Sequence, residues 1–146
     1  MVTQQIEKVW LFVQAVREAG HLGEQAMLAV AFALRNRQRA GWEGGNWSLV
    51  IKHCNRIRYN DAPPNDEYPD LRDPIIRRVM TKIDGIYDGS MPDVLVSCVH
   101  PLEGARTGKY WCQLHKITNQ DFLEKIVRAT KDHPKTSTVG DLTFFA

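Results

Sequence analysis

The chain has 146 residues, 43% hydrophobic and 25% charged, which suits one compact domain with its own core. A net charge of +2 suits a polyanionic partner, but no Lys/Arg block stands out and no nucleic-acid partner is expected; no apolar run reaches the roughly 18 residues of a membrane span. Three cysteines cannot all pair within one chain, so a disulfide framework is not expected and synthesis in a reducing compartment is the simpler reading.

In chain order, Ile6, Val9, Trp10, Val13 and Val16 make one stripe at helical spacing, which predicts an amphipathic first helix over Gln4–Glu18. It is not read as a signal peptide, because Gln4, Gln5 and Glu7 crowd its start, Gln14 interrupts its apolar part and no A-x-A site follows. After the turn Gly20-His21-Leu22-Gly23, a second helix runs over Glu24–Arg39. Its apolar residues Met27, Leu28, Val30, Ala31, Phe32 and Leu34 surround most of the circumference, which predicts the central buried helix. Gly41, Gly44 and Gly45 end it, and a short helix over Trp47–His53 follows with Ser48 as its cap. The polar stretch Asn55–Asp73 is long for a connection inside a domain and reads as a binding element or as small strands.

Asp73-Pro74 reads as an N-cap and first helical position, with Ile75, Ile76, Val79, Ile83 and Ile86 in register up to Gly89. The run VLVSCV suits a short buried strand, and Thr118 or Asn119 caps a last helix with Phe122, Leu123, Ile126 and Val127 inward. The tail TVGDLTFFA has strand composition. The expected fold is mainly α (α+β), one helical domain over residues 1–146 with a small β part.

Glu18 stands out, because a lone acid beside a strongly apolar helix is costly to desolvate unless it is paired or used. Glu18-Ala19-Gly20, the following Glu24, the apolar helix and its ending Leu34-Arg35-Asn36-Arg37 resemble the cell wall hydrolase family typified by spore cortex-lytic enzymes. WSLVIKH (Trp47–His53), DGSMPD followed by HPLEGA (His100–Ala105), and the closing GDLTFF resemble later segments of that family, so the likeness covers nearly the whole chain. It departs at Leu22, where the family usually carries a second Glu, at His100, where it usually carries Asp, and at HCNRIRYN, where its Gln-Phe is not clear. The first departure bears on the polar surroundings of the acid, hence on rate and pH optimum more than on reaction class.

The resemblance implies a lysozyme-like scaffold that cleaves peptidoglycan glycan strands with Glu18 as the catalytic acid and no cofactor or metal. The chemistry fits the local sequence: breaking the β-1,4 bond needs a proton delivered to the leaving oxygen, and a carboxyl beside apolar groups keeps its proton to higher pH. In a lytic transglycosylase the same residue then takes the proton of the muramyl C6 hydroxyl, so no second acid is required. A hydrolytic muramidase needs one, and Glu24, Asp61, Glu67 and Glu103 are the candidates, none with identifying spacing. The transglycosylase is the preferred reading.

The expected substrate-binding residues are Glu24, Asn36, Tyr59, Gly104, Ala105 and Tyr110, the two tyrosines because each sits among turn residues and carries a polar tip. Glu24 also reads as a first-turn acid favoured by the helix dipole, and Asn36 as a residue that fixes the helix end. Trp42, Trp47 and Trp111 read either as sugar platforms or as core. Gly20 and Gly23 would let a sugar approach the backbone closely. Asn55–Asp73 and HPLEGARTGKYW should face each other across a groove floored by Glu18.

A different class stays open: Cys98-x-His100 and Cys112-x-x-His115 offer four ligands for a zinc-binding domain or amidase, although neither pair has usual zinc spacing. The expected partner is the glycan polymer, met by a monomer without membrane insertion. That polymer lies outside the membrane and no export signal is visible, so release or delivery from the cytoplasm is expected.

Overall fold

In the computed structural model, α1 (Gln4–Ala19) and α2 (Glu24–Arg39) form a helical hairpin closed by a 3₁₀ turn at Gly20–Leu22. The structure describes residues 4–54, 68–92, 110–112, 118, 120, 121, 124, 135–139 and 142–145. The protein is mainly helical. Every residue of α2 from Ala26 to Arg37 is buried, as its all-round apolar sequence predicts. Ala26, Ala29, Ala31 and Ala33 let neighbouring helices come close, while Met27, Leu28, Phe32 and Leu34 fill the space between them.

α1 differs from the one-stripe expectation. Trp10 to Ala15 are all buried, whereas Ile6, Val9 and Val16 are only partly so. The reason is tertiary: α1 packs on α2, α3 and α4 together, so its middle turn has no solvent face.

α3 (Trp47–Cys54) buries Trp47, Val50 and Ile51. Its cap is Asn46, whose Oδ1 accepts from the Leu49 N–H at 3.2 Å, in place of the expected Ser48. Ser48 lies inside the first turn, beyond the position from which a side chain can take up the free N–H groups. α4 (Pro74–Asp88) begins as expected, with Asp73 Oδ1 accepting from the Ile75 N–H at 2.8 Å and Pro74 at the first position. Ile76, Val79, Ile83 and Ile86 are buried at 3-4-3 spacing. Ile75, expected in the same stripe, is exposed because it sits about 100° round the helix from Ile76.

Tyr110–Cys112 (β1), Lys135–Val139 (β2) and Leu142–Phe145 (β3) make an antiparallel sheet in the order β1-β3-β2, with an irregularity between Lys135 and Ser137. Leu142 ties the sheet to the helical core. Gln120, Asp121 and Glu124 have helical backbone where the last helix is expected. The VLVSCV strand, the HPLEGA segment and Phe122, Leu123, Ile126 and Val127 lie outside the described residues.

Candidate active site

Glu18 stands in the last turn of α1, one residue before the helix ends at Ala19. This is the end at which the helix dipole disfavours a negative charge. Its side chain is partly exposed, while Ala19 behind it is fully buried. One turn earlier, Gln14 donates from Nε2 to Glu18 Oε1 at 2.9 Å. Gln14 itself is fully buried in the apolar middle of α1, and its Oε1 has no hydrogen-bond partner among the described residues.

The turn after Glu18 depends on two glycines in different ways. A Cβ on Gly20 would sit 3.2 Å from Val16 Cγ1, so small size lets the turn fold back on α1. Gly23 has φ +99° and ψ 175°, a conformation open essentially to glycine alone, and a Cβ there would meet nothing within 4 Å. The backbone at Gly23 is thus set by the sharp entry into α2.

Glu24 opens α2 with its carboxylate turned to α4. It accepts from Lys82 Nζ at 2.9 Å and from Arg78 Nε at 3.2 Å. The Lys82 hydrogen bond, with help from Arg78, holds its carboxyl below the usual carboxylate range. Asn36 is buried in the last turn of α2, with its carbonyl accepting from the Ala40 N–H at 2.9 Å. Twelve residues separate it from Glu24, so it lies about 18 Å along α2 from the helix start that adjoins Glu18. The fold places Glu18 and Asn36 at opposite ends of the hairpin.

Tyr110 is in strand β1 opposite Phe145, rather than among the turn residues expected from its neighbours. A short strand bordered by Gly and Lys gives little periodic signal, and its pairing with the tail is a long-range event. Tyr59, Gly104 and Ala105 lie outside the described residues, as do Asp61, Glu67 and Glu103. The facing of the two expected groove segments lies outside them too. Of the four zinc candidates only Cys112 is described, in β1 opposite Thr143. Among the described residues no three His, Cys, Asp or Glu side chains are grouped to hold a metal ion.

Of the tryptophans singled out in the sequence, Trp47 follows the core reading and Trp42 is partly buried against the core. Trp47 is buried and stacks on Tyr87 with ring centroids 5.2 Å apart, and Trp42 lies under the Arg37 guanidinium at 4.7 Å. Around Tyr87 is a polar cluster that periodicity did not flag. Tyr87 donates to Glu7 Oε2 at 3.4 Å, and Lys8 lies 5.4 Å over its ring while pairing with Asp84 at 3.1 Å. Burial, reinforced by Glu7, pushes the Tyr87 hydroxyl up to about 12, and burial raises the Glu7 carboxyl despite the Tyr87 hydrogen bond.

A cleft of about 410 Å³ opens between α1 and α4, lined by Phe12, Leu71, Met80 and Tyr68 with Lys8 and Asp84 at its rim. Tyr68, Leu71 and Met80 are exposed there. Phe12 and Glu18 are six residues apart, about 120° round α1, so this cleft and Glu18 occupy different faces of the helix. Comparison of the chain with family models, curated sequences and solved structures gives no match.

Proposed function

We propose that the protein cleaves peptidoglycan glycan strands as a lytic transglycosylase, on a lysozyme-like helical domain, with Glu18 as general acid and then general base. The observation that carries the reading is the setting of Glu18. The acid of the Glu18-Ala19-Gly20 motif stands at the end of α1, where the chain turns into the most buried helix, and is hydrogen-bonded by a buried amide. The sequence resemblance supplies the substrate.

The protonated Glu18 carboxyl gives its proton to the bridging oxygen as the muramyl C1–O bond breaks, which releases a neutral hydroxyl and leaves oxocarbenium character at C1. The resulting carboxylate then takes the proton of the muramyl C6 hydroxyl while that oxygen bonds to C1. The ring closes to a 1,6-anhydro sugar, no water is consumed, and Glu18 ends as protonated as it began. The engagement of Glu24 with Lys82 and Arg78 fits a scheme that needs no second acid.

The test is mass spectrometry of fragments released from purified peptidoglycan by wild type and by Glu18→Gln. Gln keeps the shape and removes the titratable proton, so turnover is expected to fall at least about a hundredfold with folding retained. Wild type should release 1,6-anhydromuramyl ends. Reducing muramic acid ends would make water the acceptor and the enzyme a hydrolytic muramidase. Full activity in Glu18→Gln would overturn the assignment.

A further inference from the structure

The cleft between α1 and α4 has two chemically different ends. Lys8 and Phe12 stand one turn apart on α1, Asp84 and Met80 one turn apart on α4, and all four line it. The contacts Glu7–Tyr87 and Lys8–Asp84 climb α1 while they descend α4, so the two helices run in opposed directions here. Lys8 therefore faces Asp84, at 3.1 Å, and Phe12 and Met80 follow about 6 Å further along the cleft. Phe12 and Ile83 are buried, whereas Tyr68, Leu71 and Met80 are 41%, 43% and 41% exposed, so a buried apolar floor lies between accessible apolar walls. At about 410 Å³ the cleft is at the small end of the roughly 300–1,000 Å³ usual for small-molecule sites.

We propose that this cleft binds a free α-amino acid with a large apolar side chain, its carboxylate on Lys8 and its ammonium on Asp84. Charge complementarity carries the inference. An α-amino acid holds its ammonium and carboxylate on one carbon, side by side as Lys8 Nζ and Asp84 Oδ1 are. Laid over one another, the two ion pairs alternate in sign round a square, and neither protein charge gives up its partner. The capacity is present, because an ammonium has three donors and a carboxylate about four acceptor sites. Both side chains are also accessible, at 30% and 76% exposed. A ligand with a single charge would meet a like charge beside the opposite one, and a neutral sugar would bring hydroxyls against apolar walls. The apolar side chain of the ligand runs from the ion pair toward Phe12, Met80, Leu71 and Tyr68, and its burial supplies the affinity. Met80, unbranched and adaptable, accommodates more than one side-chain shape. Phe12 and Glu18 occupy different faces of α1, so this site is independent of the glycan-cleavage reading.

The test is calorimetric titration of the full chain with L-phenylalanine at pH 7, with amide NMR shifts to locate the ligand. Binding is expected with a Kd of about 1 mM or tighter, and with shifts centred on Lys8, Phe12, Met80 and Asp84. L-serine has the same charges without the apolar body, and N-acetyl-L-phenylalaninamide has the same ring without the charges. Each should bind at least about tenfold more weakly than L-phenylalanine. Asp84→Asn and Leu71→Ser, both at exposed positions, should each weaken binding about fivefold or more while the melting temperature stays near that of wild type. Glu18→Gln should bind as wild type does. Equal affinity for the neutral analogue would reduce the cleft to a plain apolar patch and overturn the proposal. Shifts centred on another face, or no binding at about 10 mM L-phenylalanine, would overturn it as well. A dimer in light scattering that Leu71→Ser disperses would make a second copy of the chain the occupant instead.

Discussion

Glu7 and Glu24 are carboxylates on neighbouring helices whose surroundings pull them in opposite directions. Glu24 is lowered by Lys82 first and Arg78 next, so its contribution to stability is present above the ordinary value of 4.5 and is lost as pH falls through its folded value. Both cations are partly exposed, at 37% and 54% of their side chains, so solvent screening limits the pair to about 1 kcal/mol or less. Glu24→Gln should therefore lower the melting temperature at pH 7, with the difference closing toward pH 3. Glu7 is raised by burial, so its favourable share is complete below 4.5 and disappears as pH rises through its folded value. Glu7→Gln should raise the melting temperature at neutral pH and lose that gain in acid. Melting curves of both variants across pH 3–8 check the pair, and parallel curves for the two would contradict the opposite environments.

At the scale of elements, the helix ends carry the clearest sequence chemistry and the sharpest liabilities. Gly89 closes α4 at φ +85°, where its N–H reaches the Gly85 carbonyl at 3.0 Å, and a Cβ there would run into the Arg39 guanidinium. Gly89→Ala is expected to cost about 1–2 kcal/mol from the left-handed backbone, with Arg39 displaced as well. Gly23→Ala meets no atom, so its cost of about 1–3 kcal/mol would come from backbone strain alone. Because Gly23 lies between Glu18 and α2, that variant should also lose the proposed glycan cleavage, whereas Gly89→Ala should keep it at temperatures where it is folded. Urea unfolding beside the fragment assay checks both, and equal activities at equal folded fraction would detach the turn from the site.

For the molecule as a whole, α2 is the element on which the other helices depend. Phe32 is fully buried at its centre with the Arg35 guanidinium 4.9 Å over its ring. Phe32→Ala is expected to cost about 3–5 kcal/mol, a large share of the roughly 5–15 kcal/mol that holds a domain together. The urea midpoint should fall accordingly, and a loss below about 1 kcal/mol would mean α2 is not the centre of the core. Elemental analysis bears on the same scale: the cleavage reading expects no stoichiometric zinc. One bound equivalent whose removal unfolds the protein would transfer Cys98, His100, Cys112 and His115 from a glycan enzyme to a zinc domain.

What the sequence determined by itself is local. The spans of α1, α2 and α4, the Asp73-Pro74 start, the Gly89 stop and the buried character of α2 are written within one or two turns of chain, because capping and periodicity act over four residues. The last turn of α1 as the place of Glu18 was legible for the same reason. The tertiary structure decided everything that depends on which helix lies beside which. It buried the middle turn of α1 on all sides by packing three helices round it, turned Glu24 to cations 54 and 58 residues away, and paired Tyr110 with the tail. It set Asn36 at the far end of the hairpin from Glu18, and it made Gln14, which in the sequence only interrupts an apolar run, the buried partner of the acid. Such contacts join residues distant in the chain or depend on burial by distant elements, and no periodicity within one helix encodes them.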